Sequence, residues 1–244
     1  MQDSLSSSIF TKYMSAPAKY PAVCVVIPAF NESTTIKTVV DDVTSHGYTA
    51  IVVDDGSTQD ILSPIKNSPA WFLQHSINLG QGAALQTGIS FALEKNADII
   101  ITFDADGQHQ AKDINRLVET MQQENVDVVL GSRFMNGADE HIPSKRKTLL
   151  QIARYANLLF TGLLLTDAHN GLRAFSKKAA AKINITENGM SHATQLLSEI
   201  KREKLTYKEV PVTVLYTDYS KQKGQTIWSG FRIFFDLLLN KIFK

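Results

Sequence analysis

The stretch Ile99-Ile-Ile-Thr-Phe-Asp-Ala-Asp-Gly-Gln-His109 decides how the rest of the chain is read. Its continuously apolar, β-branched start reads as a strand buried on both faces. The strand runs directly into two carboxylates, Asp104 and Asp106, separated by one residue. Alternation along an extended chain puts both on the same side of the strand end. Two anionic groups that close repel unless a cation lies between them. A hard divalent ion, Mg²⁺ or Mn²⁺, suits carboxylate oxygens and fills its open positions with phosphate oxygens. Asp-Ala-Asp-Gly is also the composition of a plain turn leading to a helix cap. By itself the stretch leaves both readings open.

Apolar runs of similar length recur on either side, at residues 22–27, 50–53, 71–75 and 126–130. Between them lie helical stretches at residues 31–46, around Pro64, at 78–96 and at 112–124, each opened or closed by Asn, Gly or Pro. Strands alternating with helices imply right-handed crossovers and a mostly parallel central sheet flanked by helices. In such sheets ligands bind outside the carboxyl ends of the strands. Those ends carry Asn31 and Glu32, Asp54 and Asp55, Asn78, Asp104 and Asp106, and Arg133. Polar residues gathered at one end of successive strands point to a site, because chance would scatter them over both ends.

The 244 residues suit one large α/β domain with a C-terminal extension. Three segments are expected: a loose, Ser-rich arm over residues 1–20, a main domain over 21–216, and a terminal segment over 217–244. The arm lacks the apolar core of a signal peptide. Cys24, the single cysteine, lies in an apolar run and reads as a small buried hydrophobe in a reducing compartment. The net charge of +1 conceals an asymmetry: residues 1–144 hold 8 Lys/Arg against 17 Asp/Glu, and residues 145–244 hold 17 against 7. The first part reads as built around carboxylates and the second as built to meet an anion or an anionic surface. Residues 149–165 form a long apolar stretch with one polar stripe, read as a helix too short and too charged to span a membrane. Residues 167–173 read as a polar turn, 190–204 as a helix, and 207–216 as a strand interrupted by Pro211, which suits an edge or a strand start. Residues 227–244 carry eleven large apolar residues beside a narrow polar stripe. That pattern suits an amphipathic helix lying on a membrane, against a partner, or in the core.

Read in order, the strand-end motifs resemble those of family-2 glycosyltransferases. The likeness is greatest to the branch of dolichol-phosphate mannose synthases and polyprenyl-phosphate glycosyltransferases. The stretches that carry it are Val26-Ile-Pro-Ala-Phe-Asn-Glu32, Val53-Asp-Asp-Gly-Ser57, Asn78-Leu-Gly-Gln-Gly-Ala-Ala84, Asp104-Ala-Asp-Gly-Gln-His109, Gly131-Ser-Arg133, residues 167–173 and Glu209-Val-Pro-Val212. The resemblance spans about residues 22–215 and implies a GT-A-type nucleotide-sugar-binding fold with a metal-binding Asp-x-Asp. It implies that Pro28, Ala29, Asn31, Glu32, Asp55, Asn78, Gly80 and Gln81 line the nucleotide-sugar pocket, with Asp55 meeting the base or ribose. Asp104, Asp106 and Gln108 would hold Mg²⁺ or Mn²⁺ and the donor diphosphate, and Arg133 would meet phosphate. Arg146, Arg173, Lys221 and Lys223 would meet an acceptor phosphate, since guanidinium in particular matches phosphate geometry. Three positions depart from the pattern. Gln81 stands where relatives often carry Lys. Residues 216–226 offer Lys221 and Lys223 where an Arg precedes a Gly-x-Ser-Lys motif. His192 stands where an acidic pair is common, and it would serve as a base near neutral pH if the acceptor were a hydroxyl.

The expectation is therefore a metal-dependent inverting glycosyltransferase. It would move a sugar from a UDP- or GDP-sugar to a polyprenyl phosphate or other membrane-linked acceptor in cell-surface glycan synthesis. Asp104, Asp106, Arg133 and His192 would be its catalytic residues. The expected partners are a nucleotide-sugar donor, a lipid-linked phosphate or glycan acceptor, and a membrane surface met by the C-terminal helix. That places the protein peripherally on the cytoplasmic face of the membrane. A homo-oligomer or a membrane partner protein stays open, and no nucleic acid is expected. Two alternatives stand beside this reading: a non-catalytic nucleotide-sugar-binding subunit, and a sugar nucleotidyltransferase, whose basic glycine-rich loop is missing after the first strand.

Overall fold

A computed structural model describes residues 9–13, 22–135, 158, 161–189 and 191–215. The apolar runs become strands β2 (Val23–Ala29), β3 (Thr49–Asp54), β4 (Ala70–His75), β5 (Ile99–Thr102) and β6 (Val128–Ser132). They are joined by β1 (Ile9–Tyr13), β7 (Arg173–Ser176) and β8 (Tyr207–Pro211) in one sheet of order β1-β4-β3-β2-β5-β7-β6-β8. The helices are α1 (Ile36–Ser45), α2 (Leu62–Ile65), α3 (Gln81–Glu94), α4 (Lys112–Glu124), α5 (Lys177–Ala180) and α6 (His192–Arg202). β2–β3, β3–β4, β2–β5 and β6–β8 pair parallel; β1–β4, β5–β7 and β6–β7 pair antiparallel.

Alternation along the central strands divides the core between the two sheet faces. Val25, Ile27, Val52, Phe72 and Ile101 join one cluster with Ile36, Val40, Ile114 and Leu117 of α1 and α4. Cys24, Val26, Ile51, Val53 and Ile100 join the other with Leu85, Ile89, Leu196 and Ile200 of α3 and α6. Both faces being covered explains why the strands read as unbroken apolar runs. Cys24 is 1% exposed, and burial pushes its thiol up to about 12. Along α1, Ile36, Val39, Val40 and Val43 face inward at the three- and four-residue spacing of one helical stripe.

Three elements differ from the sequence reading. Within the supposed loose arm, Ile9–Tyr13 adds an antiparallel strand to β4, so those five residues are part of the sheet. Arg173 was placed in a polar turn, yet it opens β7, which inserts antiparallel between β5 and β6. The run Arg-Ala-Phe-Ser is too short for a period-two pattern to announce a strand. The helix read over residues 149–165 stops at Gly162, whose φ of 70° leaves the helical region. Most of that stretch and the whole C-terminal helix at 227–244 lie outside the described residues. Pro211 closes β8 at the sheet edge, as expected. Among the described residues no helix is long and apolar enough to cross a membrane.

β7 positions the site. Because it runs opposite to β5 and β6, Arg173 pairs with both Thr102 and Leu130. The residues preceding β7 therefore reach the same sheet edge as the residues following β5 and β6.

Candidate active site

Asp104 and Asp106 follow β5 at that edge. Gln81 Nε2 donates to Asp104 Oδ1 at 3.2 Å, and His109 Nε2 lies 3.4 Å from Oδ2. Burial works against the Asp104 charge, but His109, with His192 and Arg173 further off, holds its carboxyl below the usual range. Asp106 goes the other way: burial and the adjacent Asp104 charge push its carboxyl up, although it accepts the Gln108 N–H at 3.0 Å. A carboxyl whose proton affinity is raised by the carboxylate next to it marks a site that gains from a cation between the two. Gly171 brings its backbone close beside Asp104; a Cβ there would overlap the carboxylate. Thr102 Oγ1 holds this approach by donating to Gly171 O at 2.7 Å.

Positive charge reaches the same point from β7. Arg173 is 5% exposed, and its Nε and Nη2 donate to Asn170 O and Ala168 O at 2.8 and 3.2 Å. Burial lowers its pKa to about 10, while Asp104 and Asp167 favour the charged form, so it stays cationic at neutral pH. His192, 6% exposed at the start of α6, donates from Nδ1 to Gly189 O at 2.8 Å. Burial pushes its imidazole pKa down, as does Arg173; the Gly189 bond and Asp104 push it up. The net lowering keeps it neutral near pH 7.

Arg133 has a different partner from the one expected. Its guanidinium grips Asp167 with Nε to Oδ2 at 2.6 Å and Nη2 to Oδ1 at 2.7 Å. This buried, two-pronged pair ties Arg133 to the 166–170 loop. Glu209 of β8 fastens the same loop, accepting from Thr166 N at 2.8 Å, Thr166 Oγ1 at 2.7 Å and Asp167 N at 3.2 Å.

The glycine-bearing turn before α3 is likewise closed on the protein. Asp55, 2% exposed, accepts Leu79 N at 2.9 Å and Gly80 N at 2.7 Å, and Asn78 Nδ2 donates to Asp55 O at 3.2 Å. Gly82 N donates to Asn188 O at 3.0 Å. Gly80 has φ 101°, a backbone state reserved for glycine, and its missing Cβ leaves room for Asn188. Asn78 and Gly80 are tied to Asp55 by these bonds, with Asn78 exposed and Gly80 half-buried, and Gln81 is the member of the turn that reaches the Asp104 carboxylate. Asp55 is committed to the same turn, so at most one of its lone pairs is left for a base or ribose.

Pro28 and Ala29 are buried in the β2–β3 ladder, and Ala29 O accepts Asp55 N at 2.9 Å. Asn31, at φ 56°, accepts from Thr58 N and Oγ1 at 3.0 and 3.1 Å, tying the turns after β2 and β3 together. Glu32 is half-buried and its charge reaches Asp106. Gln108 serves Asp106 through its backbone. The structure thus brings Asp104, Asp106, Gln81, Arg173 and His192 together. Arg146, Lys221 and Lys223 lie outside the described residues. Sequence reasoning missed His109, Asp167 and Glu209 as site builders, although each sits inside a quoted motif, and His75, which lies in none.

The carboxylate pair fits a divalent cation. Among the described residues no cluster of three or more His, Cys, Asp or Glu side chains completes a metal cage. Substrate oxygens and water would therefore supply the remaining ligands. Residues 24–183 match the family model described as glycosyl transferase family 2. The chain belongs to glycosyltransferase family 2. Among its relatives in this family is UDP-N-acetylglucosamine--dolichyl-phosphate N-acetylglucosaminyltransferase of Methanococcus voltae, 33% identical over 91% of this chain and 97% of that one. Another is polyprenol monophosphomannose synthase of Mycolicibacterium smegmatis, 25% identical over 83% and 82%. The chain thus resembles the polyprenyl-phosphate branch of the family, and it is a glycosyltransferase. Its fold is shared with glucosyl-3-phosphoglycerate synthase of Mycobacterium tuberculosis in complex with Mn²⁺, UDP and phosphoglyceric acid. The TM-score is 0.68 at 19% identity, over 89% of this chain and 77% of that one. This is the expected GT-A-type architecture.

Proposed function

We propose that this glycosyltransferase moves a sugar from a nucleoside-diphosphate sugar, UDP- or GDP-linked, to the phosphate of a polyprenyl phosphate, with inversion at the anomeric carbon. Asp104 and Asp106 would hold Mg²⁺ or Mn²⁺ against the donor diphosphate. The observation that carries the reading is the meeting of opposite charges at the end of β5, where Asp104, next to Asp106, feels the charge of the buried Arg173. One side offers a seat for a metal-bound diphosphate, and the other offers a cation to a second anion. The names of the lipid-phosphate relatives and the Mn²⁺ and UDP of the fold neighbour support both halves.

Gln81 and His109 orient the two oxygens of Asp104, and the carbonyls of Ala168 and Asn170 aim Arg173. A phosphate acceptor is already an anion, so it attacks the anomeric carbon without a base. The new bond joins that carbon to an acceptor phosphate oxygen; the bond to the diphosphate breaks, and its electron pair leaves with the nucleoside diphosphate. The cation, when bound, neutralises charge on that leaving group. Neutral His192 then contributes polarity beside Arg173 without needing to move a proton. A lipid-linked acceptor places the work at a membrane surface, which we take to be the cytoplasmic face, with peripheral attachment through the C-terminal segment.

The test supplies detergent-dispersed polyprenyl phosphate, labelled UDP- or GDP-sugars and Mn²⁺ to the full chain. Label should enter the lipid phase only with metal, and the product should carry the anomer opposite to the donor's. Tight donor binding with no transfer to any lipid phosphate would overturn the polyprenyl-phosphate acceptor.

A further inference from the structure

Buried His75 and Asp55 and the half-buried Thr87 form one hydrogen-bonded chain behind the site. His75, 2% exposed at the last position of β4, reaches Asp55 Oδ1 from Nδ1 at 2.8 Å and Thr87 Oγ1 from Nε2 at 3.0 Å. A carboxylate only accepts, so Nδ1 carries the hydrogen, and Nε2 can take the bond from the Thr87 hydroxyl. The chain spans three elements: Thr87 belongs to α3, His75 to β4, and Asp55 to the turn after β3.

Asp55 links this chain to the site. The oxygen that faces His75 also accepts Leu79 N, and the other accepts Gly80 N. The next residue is Gln81, whose Nε2 donates to Asp104 Oδ1. Apolar side chains would fill the volume of His75 and Thr87 with no polar group to desolvate. What the polar chain adds is direction, because a carboxylate held by a fixed imidazole gathers two amides in a single arrangement.

We infer that His75 is a positioning residue: braced by Thr87, it fixes the Asp55 carboxylate that shapes the 78–80 turn, and so sets Gln81 against Asp104. The inference rests on the proposed role of Asp104 as a metal-binding carboxylate. Groups bonded directly to a metal ligand change metal affinity by about 10–100-fold when lost; Gln81 holds that place beside Asp104, and His75 acts one step behind it.

The test measures Mn²⁺ affinity in the presence of UDP by electron paramagnetic resonance on the full chain, together with kcat and the KM for polyprenyl phosphate. The variants are Thr87→Val, which keeps the volume; His75→Asn, which keeps a donor near the Nδ1 position; His75→Leu; and Gln81→Ala. Mn²⁺ affinity should fall about tenfold in His75→Leu and less in Thr87→Val, with His75→Asn recovering part of the loss. Lowered kcat should accompany this at unchanged KM for the acceptor. In a Gln81→Ala background, Thr87→Val should have no further effect on Mn²⁺ affinity, because the path it acts through is already cut. If His75 is only a satisfied core histidine, Thr87→Val and His75→Asn will lower the melting temperature and leave Mn²⁺ affinity and kcat unchanged, which overturns the inference. Should His75→Leu fail to fold, those two milder variants decide it. If the wild-type chain takes up neither Mn²⁺ nor a nucleoside diphosphate, with UDP and GDP both tried, the functional reading falls and this inference with it. If the wild type binds both and the variants bind equally well, only the inference falls.

Discussion

Arg133 and Asp167 lock together below the surface through two side-chain bonds of 2.6 and 2.7 Å, and the Arg133 backbone N–H adds a third to Oδ2 at 3.1 Å. The pair closes the loop that leads to Arg173, so Arg133 is part of the frame beside the site. Removing one member of a buried pair strands the other, at a cost of about 3–5 kcal/mol. Arg133→Met should show that loss as a lowered urea midpoint with an unchanged denaturant slope. A midpoint within error of the wild type would mean that the pair does not hold the fold.

The same pair has a pH signature. Burial raises the Asp167 carboxyl, but the Arg133 guanidinium outweighs it and holds the pKa below the usual carboxylate range. A folded-state pKa below the unfolded value of about 3.9 gives stability that is complete above that value. It is lost as pH falls through the folded value. In Arg133→Met the guanidinium is lost while the residue-133 backbone N–H and Asn170 still donate to Asp167, so the folded pKa moves up toward the unfolded value and the variant's deficit should shrink as pH falls from about 6 to about 3. Denaturation curves across that range check the sign, and a constant deficit would contradict it.

Gly171→Ala should act on chemistry more than on stability. Its Cβ would overlap the Asp104 carboxylate, which is half-buried and able to swing aside. Transfer activity should fall by about 10–100-fold, the scale of a disturbed metal ligand, while the melting temperature moves by only a few degrees. Equal activity in the variant would show that the position of Asp104 is not critical.

Glu209→Gln and Glu209→Ala should separate charge from tethering. Glu209 accepts from Thr166 and Asp167 with both oxygens. Hydrogen bonds to a charged acceptor contribute about 1.5–3 kcal/mol. The Ala variant should lose about that much, and the Gln variant, which keeps one acceptor oxygen, roughly half. Proteolysis near residues 163–170 should quicken in the same order.

Mn²⁺ with a nucleoside diphosphate should raise the melting temperature of the wild type, since a ligand at a hundred times its Kd stabilises by about 2.7 kcal/mol. Asp104→Asn and Asp106→Asn should each abolish the metal-dependent part of the shift. If both variants keep it, the cation sits elsewhere.

The central strands were legible because burial on both faces writes an unbroken apolar run, as in Val23–Ala29 and Ile99–Thr102. Asp104 and Asp106 were legible as neighbouring carboxylates because one residue separates them just past the end of β5. The Arg133–Asp167 pair was not: a guanidinium suits a phosphate and a carboxylate equally, and nothing local says that Asp167 lies opposite. β7 escaped notice because four residues carry no periodicity, and only pairing with Thr102 and Leu130 makes them a strand. His75 looked like the end of a strand because its partners, Asp55 and Thr87, come from two other elements.

The reversed course of β7 also has a consequence in time. Thr102 and Gly171, which meet at 2.7 Å beside Asp104, are 69 positions apart in the chain. Contacts between distant positions close late, because the loop between them must be ordered first. The ladder from β4 through β3 to β2 joins nearer neighbours and has no such wait. A refolding chain should therefore regain its circular dichroism before its activity, with the catalytic edge completed last.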